Sequence, residues 1–112
     1  MKTPDYPDAE ARRDTGIHDS AEHAEHEIPG WQDAAIECVR RYAEQYSGEP
    51  FLAEDARSWA ARSGLPEPPE PRAWGAVMQA TRRAGFIRRI GYAPARSSNL
   101  SPKVLWSAGS EP

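Results

Sequence analysis

The 112-residue chain lacks several features that would define its class at once. It has a single cysteine, Cys38, which excludes an internal disulfide and a cysteine-based metal site within one chain. No apolar run approaches the ~18 residues that a membrane-spanning helix needs. The N-terminus has no basic start followed by an apolar stretch, so no secretory signal is predicted. We therefore expect no membrane association and a cytoplasmic location.

Acidic residues are missing from a long C-terminal stretch. Residues 71–110 contain no Asp or Glu, whereas sixteen of the seventeen acids lie in the first seventy residues. The same stretch contains seven basic residues, which are Arg72, Arg82, Arg83, Arg88, Arg89, Arg96 and Lys103. The net charge of -3 therefore hides a cationic C-terminal half. A phosphate backbone responds to that local potential and not to the chain total.

Large apolar residues are scarce in residues 1–29, which carry eight acids and three bases. Such a composition does not bury enough apolar surface to offset chain entropy. We therefore predict a disordered acidic tail over residues 1–29, a folded domain over residues 30–108 and a short disordered C-terminus over residues 109–112. The tail has an alternative, electrostatic role, in which it lies on the cationic half and competes with nucleic acid.

The apolar pattern of the folded part predicts three helices. The first opens at Pro29-Gly30 and stops at Ser47-Gly48, the second runs from about residue 53 to 63, and the third starts at Pro71 and ends at Gly85. Their predicted core positions are Trp31, Ala35, Cys38, Val39, Tyr42 and Tyr46, then Leu52, Ala56, Trp59 and Ala60, then Trp74, Val77, Met78 and Thr81. Four prolines in residues 66–71 predict a stiff, extended turn before the third helix.

A β-hairpin is predicted after the third helix. Residues 86–92 form its first strand, with Phe86, Ile90 and Tyr92 on one face, and residues 103–107 form the return strand. Residues 93–102 between them are predicted to be a polar loop. Residues 49–52, between the first two helices, are too short for more than an extended link or a stub of strand.

Several segments of the chain resemble small winged-helix proteins that bacteriophages and prophages encode. They are Pro71-Arg72-Ala73-Trp74-Gly75-Ala76-Val77, Gly85-Phe86-Ile87, Gly91-Tyr92 and Ser101-Pro102-Lys103-Val104-Leu105-Trp106. The resemblance covers about residues 31–107. It implies a winged helix-turn-helix fold and a DNA-associated role in phage replication, recombination or regulation, within a bacterial host. The proline-rich turn departs from that pattern and leaves open the angle between the second and third helices.

One face of the third helix suits DNA. Arg72, Ala76, Gln79 and Arg83 form a stripe opposite the core positions. Arginine pairs with guanine and glutamine with adenine in the major groove. The small residues of this helix leave room for close approach, and we expect free N–H groups at its start to form a phosphate site with Arg72. The alternative is an ordinary solvated helix face.

The hairpin supplies a second set of candidate DNA contacts. Its loop offers hydrogen-bond donors and little apolar surface, which suits phosphate or the minor groove. Arg88 and Arg89 are adjacent on a strand, so at most one of them is expected to face DNA. The alternative for the loop is a solvated turn. Together with Arg82 of the third helix, the remaining candidates are Arg88, Arg96, Ser97, Ser98, Asn99 and Lys103.

No catalytic constellation is apparent. The folded part has no histidine, Cys38 lies on the predicted core face of the first helix, and no Gly-rich phosphate loop is present. We therefore predict no enzymatic activity and no cofactor. His18, His23 and His26 have a spacing that suits zinc or nickel on a helix, but no core would hold that geometry, so no metal site is predicted.

We therefore predict an α+β winged helix-turn-helix protein with a disordered acidic tail, which binds double-stranded DNA through its third helix and its wing. The rival function is a protein-interaction module, an adaptor or inhibitor of a host nucleic-acid-processing complex, that uses the same face. A third is a regulator masked by its own tail. A continuous positive face across helix and wing would favour DNA, whereas an exposed apolar patch would favour a protein. The sequence predicts neither the target nor the oligomeric state.

Overall fold

The structure, a computed structural model, describes residues 20–95 and 101–110. Within these residues the chain forms an α+β fold with four helices and three strands. The predicted α+β class is therefore confirmed. The elements are α1 (residues 20–27), α2 (Trp31–Gln45), β1 (Phe51–Leu52), α3 (Ala53–Arg62), α4 (Ala73–Arg83), β2 (Ile87–Ala95) and β3 (Ser101–Ala108). The three helices predicted for the folded part are α2, α3 and α4, and their bounds agree within about two residues.

The three strands form one antiparallel sheet in the order β1-β3-β2. β3 is therefore central, with the two residues of β1 on one side and the long β2 on the other. Phe51 pairs with Trp106 and Leu52 with Leu105, so the predicted strand stub is a true edge strand. The pairing of β1 with β3 joins the link between α2 and α3 to the C-terminal hairpin.

The core lies where α2, α3 and α4 meet the sheet. Trp31 of α2 and Trp74 of α4 are buried, and their rings pack edge to face with centroids 5.3 Å apart. The predicted core positions of α4 are all buried, because Trp74, Val77, Met78 and Thr81 share one helical stripe. The one polar member of that stripe is satisfied, since the Thr81 hydroxyl donates to the Val77 carbonyl at 2.7 Å. The helical phase of α4 is therefore confirmed.

The predicted boundary of the tail at residue 29 is wrong, because residues 20–27 form helix α1. Ala21 and Ala24 are buried, Ala24 belongs to the main core and Ile28 packs against it. Alanine gives a weak hydrophobic signal in the sequence, yet it is fully buried when helices approach closely. The rest of the predicted tail, residues 1–19, and the last two residues lie outside the described residues.

The proline-rich segment contains neither helix nor strand, as predicted, and it is attached to the helices at several points. The Trp31 indole Nε1 donates to the Pro66 carbonyl at 2.7 Å, and Arg57 of α3 forms an ion pair with Glu67 at 3.1 Å. Pro68 is buried and Leu65 packs against the core. The segment therefore holds the start of α4 against α2 and α3.

The sequence placed Phe86, Ile90 and Tyr92 on one face of the first hairpin strand, and the structure buries none of the three. Ile87 is fully buried, whereas Phe86, Ile90 and Tyr92 are all exposed, Tyr92 by 65%. The strand begins at Ile87, and a bulge between Arg89 and Gly91 leaves Ile90 without a partner on β3. A bulge breaks the strict alternation on which the prediction relied. Phe86 lies below the guanidinium of Arg40, with Cζ 5.8 Å from the ring centroid.

The hairpin is longer than predicted. Residues 93–95 pair with residues 101–103, so parts of the predicted polar loop are strand. The remainder of that loop, residues 96–100, lies outside the described residues. The inner ends of the two strands, at Ile87 and Trp106, belong to the main core, and Ala95 at the far end of β2 is also buried.

Candidate nucleic-acid interface

The outer stripe of α4 faces solvent. Arg72, Gln79 and Arg83 are exposed, and Ala76 between them is half-buried. Arg82 is also half-buried and has an interaction with another residue. Because the opposite stripe is in the core, these side chains cannot turn inward without unfolding the helix. The stripe predicted from spacing is thus a surface of the folded protein.

The start of α4 does not offer the free N–H groups that the sequence predicted. The backbone N–H of Ala73 donates to the Glu70 carbonyl at 3.1 Å, that of Trp74 to Pro71 at 3.1 Å, and that of Gly75 to Arg72 at 2.9 Å. The preceding turn supplies these acceptors, so the helix end is satisfied within the chain. A phosphate near this helix would therefore be bound by side chains and not by helix N–H groups.

Two depressions flank the exposed face of α4 and share Gln79. The larger, of about 510 Å³, lies between α3, α4 and β3, and Arg72 and Lys103 contribute to its rim. The smaller includes Arg82, Arg83 and, beyond β3, Ser110. Arg72, Gln79, Lys103 and Arg83 therefore belong to one continuous surface across helix and hairpin, which we call the α4–β3 face.

The basic residues of the hairpin do not all lie on the α4–β3 face. Lys103 is exposed on β3 opposite Ala93, and it alone among the predicted hairpin residues reaches the α4–β3 face within the described residues. Arg88 and Arg89 are exposed on β2, opposite Ser107 and Trp106. Arg88 lines neither depression. The candidates Arg96, Ser97, Ser98 and Asn99 lie outside the described residues.

The cations of the two halves of the chain differ in their partners. In α2, Glu37 accepts hydrogen bonds from both Arg40 and Arg41, and Glu44 accepts one from Arg40; in α3, Arg57 pairs with Glu67. By contrast, four basic side chains after the proline-rich segment form no ion pair or hydrogen bond in the described part of the chain: Arg72, Arg83, Arg88 and Lys103. Their charge is not compensated locally, so it is available to an anionic partner.

Among the residues of α2 with shifted pKa values, Glu37 and Cys38 bear on the chemistry of this helix. Hydrogen bonds from Arg40 and Arg41 lower the pKa of Glu37 from 4.5 to about 2. Partial burial raises the pKa of the Cys38 thiol above its usual 9.0, so the thiolate is disfavoured at neutral pH. Cys38 is therefore an inert packing residue, in agreement with its place on the inner side of α2.

Sequence reasoning missed the contribution of α3 to the α4–β3 face. Glu54 and Arg57 line the larger depression together with residues of α4 and β3. The Arg57–Glu67 pair spans ten positions, which is no helical spacing, so the sequence carried no signal for it. Ser110 was missed because it follows the predicted domain.

The described residues hold no cluster of three or more His, Cys, Asp or Glu side chains that could bind a metal ion. Of the three predicted tail histidines, His23 lies on α1 with its Nε2 3.6 Å from Glu27, His26 is exposed on the same helix, and His18 lies outside the described residues. None of the helices described is long and apolar enough to cross a membrane.

Comparison of the chain with protein-family models, with curated proteins and with solved structures gives no match. The function must therefore be argued from the α4–β3 face itself.

Proposed function

We propose that the protein binds double-stranded DNA through the α4–β3 face, as a winged-helix accessory or regulatory factor of a bacteriophage or prophage. Gln79, at the centre of the face, reads base edges in the major groove, since its amide both donates and accepts hydrogen bonds. Arg72, Arg83 and Lys103 hold phosphates on either side. The protein acts in the bacterial cytoplasm, without enzymatic activity of its own.

The order of the elements supports the winged-helix part of the proposal. α2, β1, α3 and α4 are followed by a hairpin, and β1 pairs with the return strand of that hairpin. In such an arrangement α4 is the recognition helix of a helix-turn-helix and β2–β3 is the wing. Helix α1 is an addition before this set, and its Glu25 carboxylate accepts hydrogen bonds from the backbone at the start of α2.

The observation that carries the proposal is the set of unpaired cations beside Gln79. Arg72, Arg83 and Lys103 have no ionic partner within the described residues, whereas Arg40, Arg41 and Arg57 each have one. Unpaired surface cations raise the local potential, which steers and binds a phosphate backbone. Residues 71–110 contribute no acid to the face, and Glu54 of α3 is the one carboxylate among the residues that line its larger depression.

Fluorescence anisotropy of the full chain with a random-sequence duplex at ~50 mM salt tests the proposal. We expect binding that Arg72→Ala weakens several-fold by removing one phosphate contact. Arg62→Ala is the matched control, because Arg62 is an exposed arginine at the end of α3, outside the face. Absence of binding at low salt, or equal losses in the two variants, would refute the proposal.

A protein partner is the second candidate function, and the exposed apolar residues of β2 favour it. Phe86, Ile90 and Tyr92 present a hydrophobic surface along one strand of the hairpin. An Ile90→Ser, Tyr92→Ser double variant is expected to lose a protein partner in co-purification from the host while it keeps its affinity for duplex DNA. Arg72→Ala should show the reverse behaviour.

A further inference from the structure

The larger depression of the α4–β3 face has apolar walls. Trp74 and Met78 of α4 and Val104 and Trp106 of β3 line a groove of about 510 Å³. That volume is typical of sites for small ligands, and it exceeds what a flat phosphate contact requires. A surface that only holds a DNA backbone is polar, so the apolar walls need another explanation.

The polar groups around these walls include both donors and acceptors. Gln79 supplies an amide, Glu54 is the one carboxylate among the lining residues, and the Nε1 of Trp74 is buried with no hydrogen-bond partner among the described residues. A buried donor without an acceptor costs free energy, which a ligand acceptor that reaches it would recover. The side chains of an acidic peptide would offer acceptors only, whereas the edge of a nucleobase presents donors and acceptors together on one rigid plane that fits between apolar walls.

Two unpaired cations stand on the rim of the groove. Arg72 lies at the start of α4 and Lys103 on β3, and neither has an ionic partner within the described residues. The third basic residue of the rim, Arg57, is neutralised by Glu67. The positive charge of the groove is therefore concentrated at Arg72 and Lys103, where the backbone of a bound strand would pass.

We propose that this groove binds a single unpaired nucleotide at a duplex end or junction. The base enters between the apolar walls, its edge meets Gln79 and Glu54, and Arg72 and Lys103 hold the adjoining phosphates. The proposal rests on the proposed DNA binding and adds the form of DNA that is preferred. The protein thus recognises duplex with an unpaired base in preference to a continuous duplex.

Three forms of one duplex, tested by anisotropy with the full chain, distinguish this inference from DNA binding itself. They are a blunt duplex, the same duplex with a short single-stranded overhang, and that overhang with abasic sites, which keeps the phosphates but removes the bases. We expect the base-bearing overhang to bind about tenfold more tightly than the other two. We also expect 2-aminopurine in the overhang to change its fluorescence on binding.

Val104→Phe fills the groove and should abolish the preference for the overhang, so that the variant binds the overhang and the blunt duplex with equal affinity. Leu105→Phe is the matched control, because Leu105 is the next residue of β3, is also half-buried and does not line the groove. Circular dichroism checks that both variants fold. If Val104→Phe is unfolded, the 2-aminopurine signal of the unmodified protein decides.

Equal affinity for all three duplexes, with no 2-aminopurine response, would overturn the inference and leave the proposed DNA binding intact. Equal affinity for the base-bearing and abasic overhangs would overturn it as well, since phosphates alone would then account for the gain. No affinity for any duplex would remove both proposals. A peptide of alternating Asp and Phe that changes the tryptophan emission, where the overhang does not, would assign the groove to a protein and overturn the inference.

Discussion

Two buried tryptophans of the core differ in the state of their indole N–H groups. Trp31 donates to the Pro66 carbonyl, whereas the Nε1 of Trp74 has no partner among the described residues. Their rings are in contact, so both lie in the same apolar surroundings. Replacement of each tryptophan by phenylalanine therefore separates the contribution of a hydrogen bond to stability from the contribution of the ring.

Trp31→Phe is expected to destabilise the protein more than Trp74→Phe, by about 1–3 kcal/mol. The first change leaves the Pro66 carbonyl without its donor, whereas the second removes a donor that makes no bond. Urea unfolding followed by circular dichroism gives both free energies. Equal losses would show that the hydrogen bond from Trp31 to Pro66 adds no net stability.

Glu37 makes stability depend on pH in the acid range. Its pKa is lowered from 4.5 to about 2 by hydrogen bonds from Arg40 and Arg41, so its contribution is complete above about pH 4.5 and is lost as the pH falls towards 2. We expect the melting temperature to decline less in Glu37→Gln than in the unmodified protein across that window. The difference will be small, since the pair is partly exposed to solvent. Glu49→Gln, an exposed change outside any ion pair, should behave like the unmodified protein.

Helix α1 stabilises the beginning of α2. The Glu25 carboxylate accepts hydrogen bonds from the backbone N–H of Gly30 at 2.7 Å and of Gln32 at 3.1 Å. Gly30, the residue before α2, has a φ of 81° and no side chain to cap the helix itself. A residue of the preceding helix thus performs the capping that Ser, Thr or Asp usually performs at this position.

Glu25→Ala is expected to lower the free energy of unfolding by about 1 kcal/mol, because it leaves two N–H groups at the start of α2 without an acceptor. Denaturant unfolding measures this loss. Glu27→Ala, on the exposed side of the same helix, is the control and should cost much less. A similar cost in the two variants would indicate a general charge effect and not capping.

Removal of residues 1–28 tests α1 as a whole. The disordered tail predicted for residues 1–29 would leave the melting temperature unchanged on deletion, but the burial of Ala21 and Ala24 reverses that expectation. We expect the melting temperature to fall by more than about 5 °C, which is on the order of 1 kcal/mol for a domain of this size. Differential scanning calorimetry of the full and the shortened chain measures this fall. An unchanged melting temperature would support the predicted boundary of the tail at residue 29.

At the scale of the whole molecule, the basic residues of the two halves differ in whether they form ion pairs, as well as in their position in the chain. Arg40 and Arg41 pair with acids of α2, and Arg57 of α3 pairs with Glu67 of the proline-rich segment. The α4–β3 face retains three cations without an ionic partner within the described residues: Arg72, Arg83 and Lys103. A chain with a net charge of -3 thereby presents a cationic surface. Its interaction with an anionic polymer is therefore expected to depend strongly on salt.

The slope of log affinity against log salt is proportional to the number of phosphates that the α4–β3 face neutralises. Three contacts, from Arg72, Arg83 and Lys103, imply a slope of about -2.7 in log affinity against log salt. Lys103→Ala should flatten the slope by about 0.9, whereas Gln79→Ala should leave it unchanged and alter sequence preference. Anisotropy titrations at several salt concentrations give these slopes. A slope that Lys103→Ala does not change would exclude β3 from the interface.

The sequence alone determined the helices α2 to α4, the core stripe of α4 and the separation of charge. These are local properties, since residues that share a helical stripe, such as Trp74, Val77 and Met78, lie within a few positions of one another. The glycine that ends α4, Gly85, was equally recognisable because its φ of 87° suits few other residues. Most predictions whose cause lay within one element succeeded, although Tyr46, a predicted core position of the first helix, is exposed.

The tertiary structure decided the features whose causes lie in different elements. Ala24 is buried only because helices pack around it, and the inner face of β2 follows from a bulge that depends on its pairing with β3. The groove joins Glu54, Arg72 and Lys103, which are distant in the chain and share no periodic pattern. The sequence therefore determined which residues carry the charge, while chain folding brought them around one apolar groove, since contacts between distant residues depend on how the elements pack.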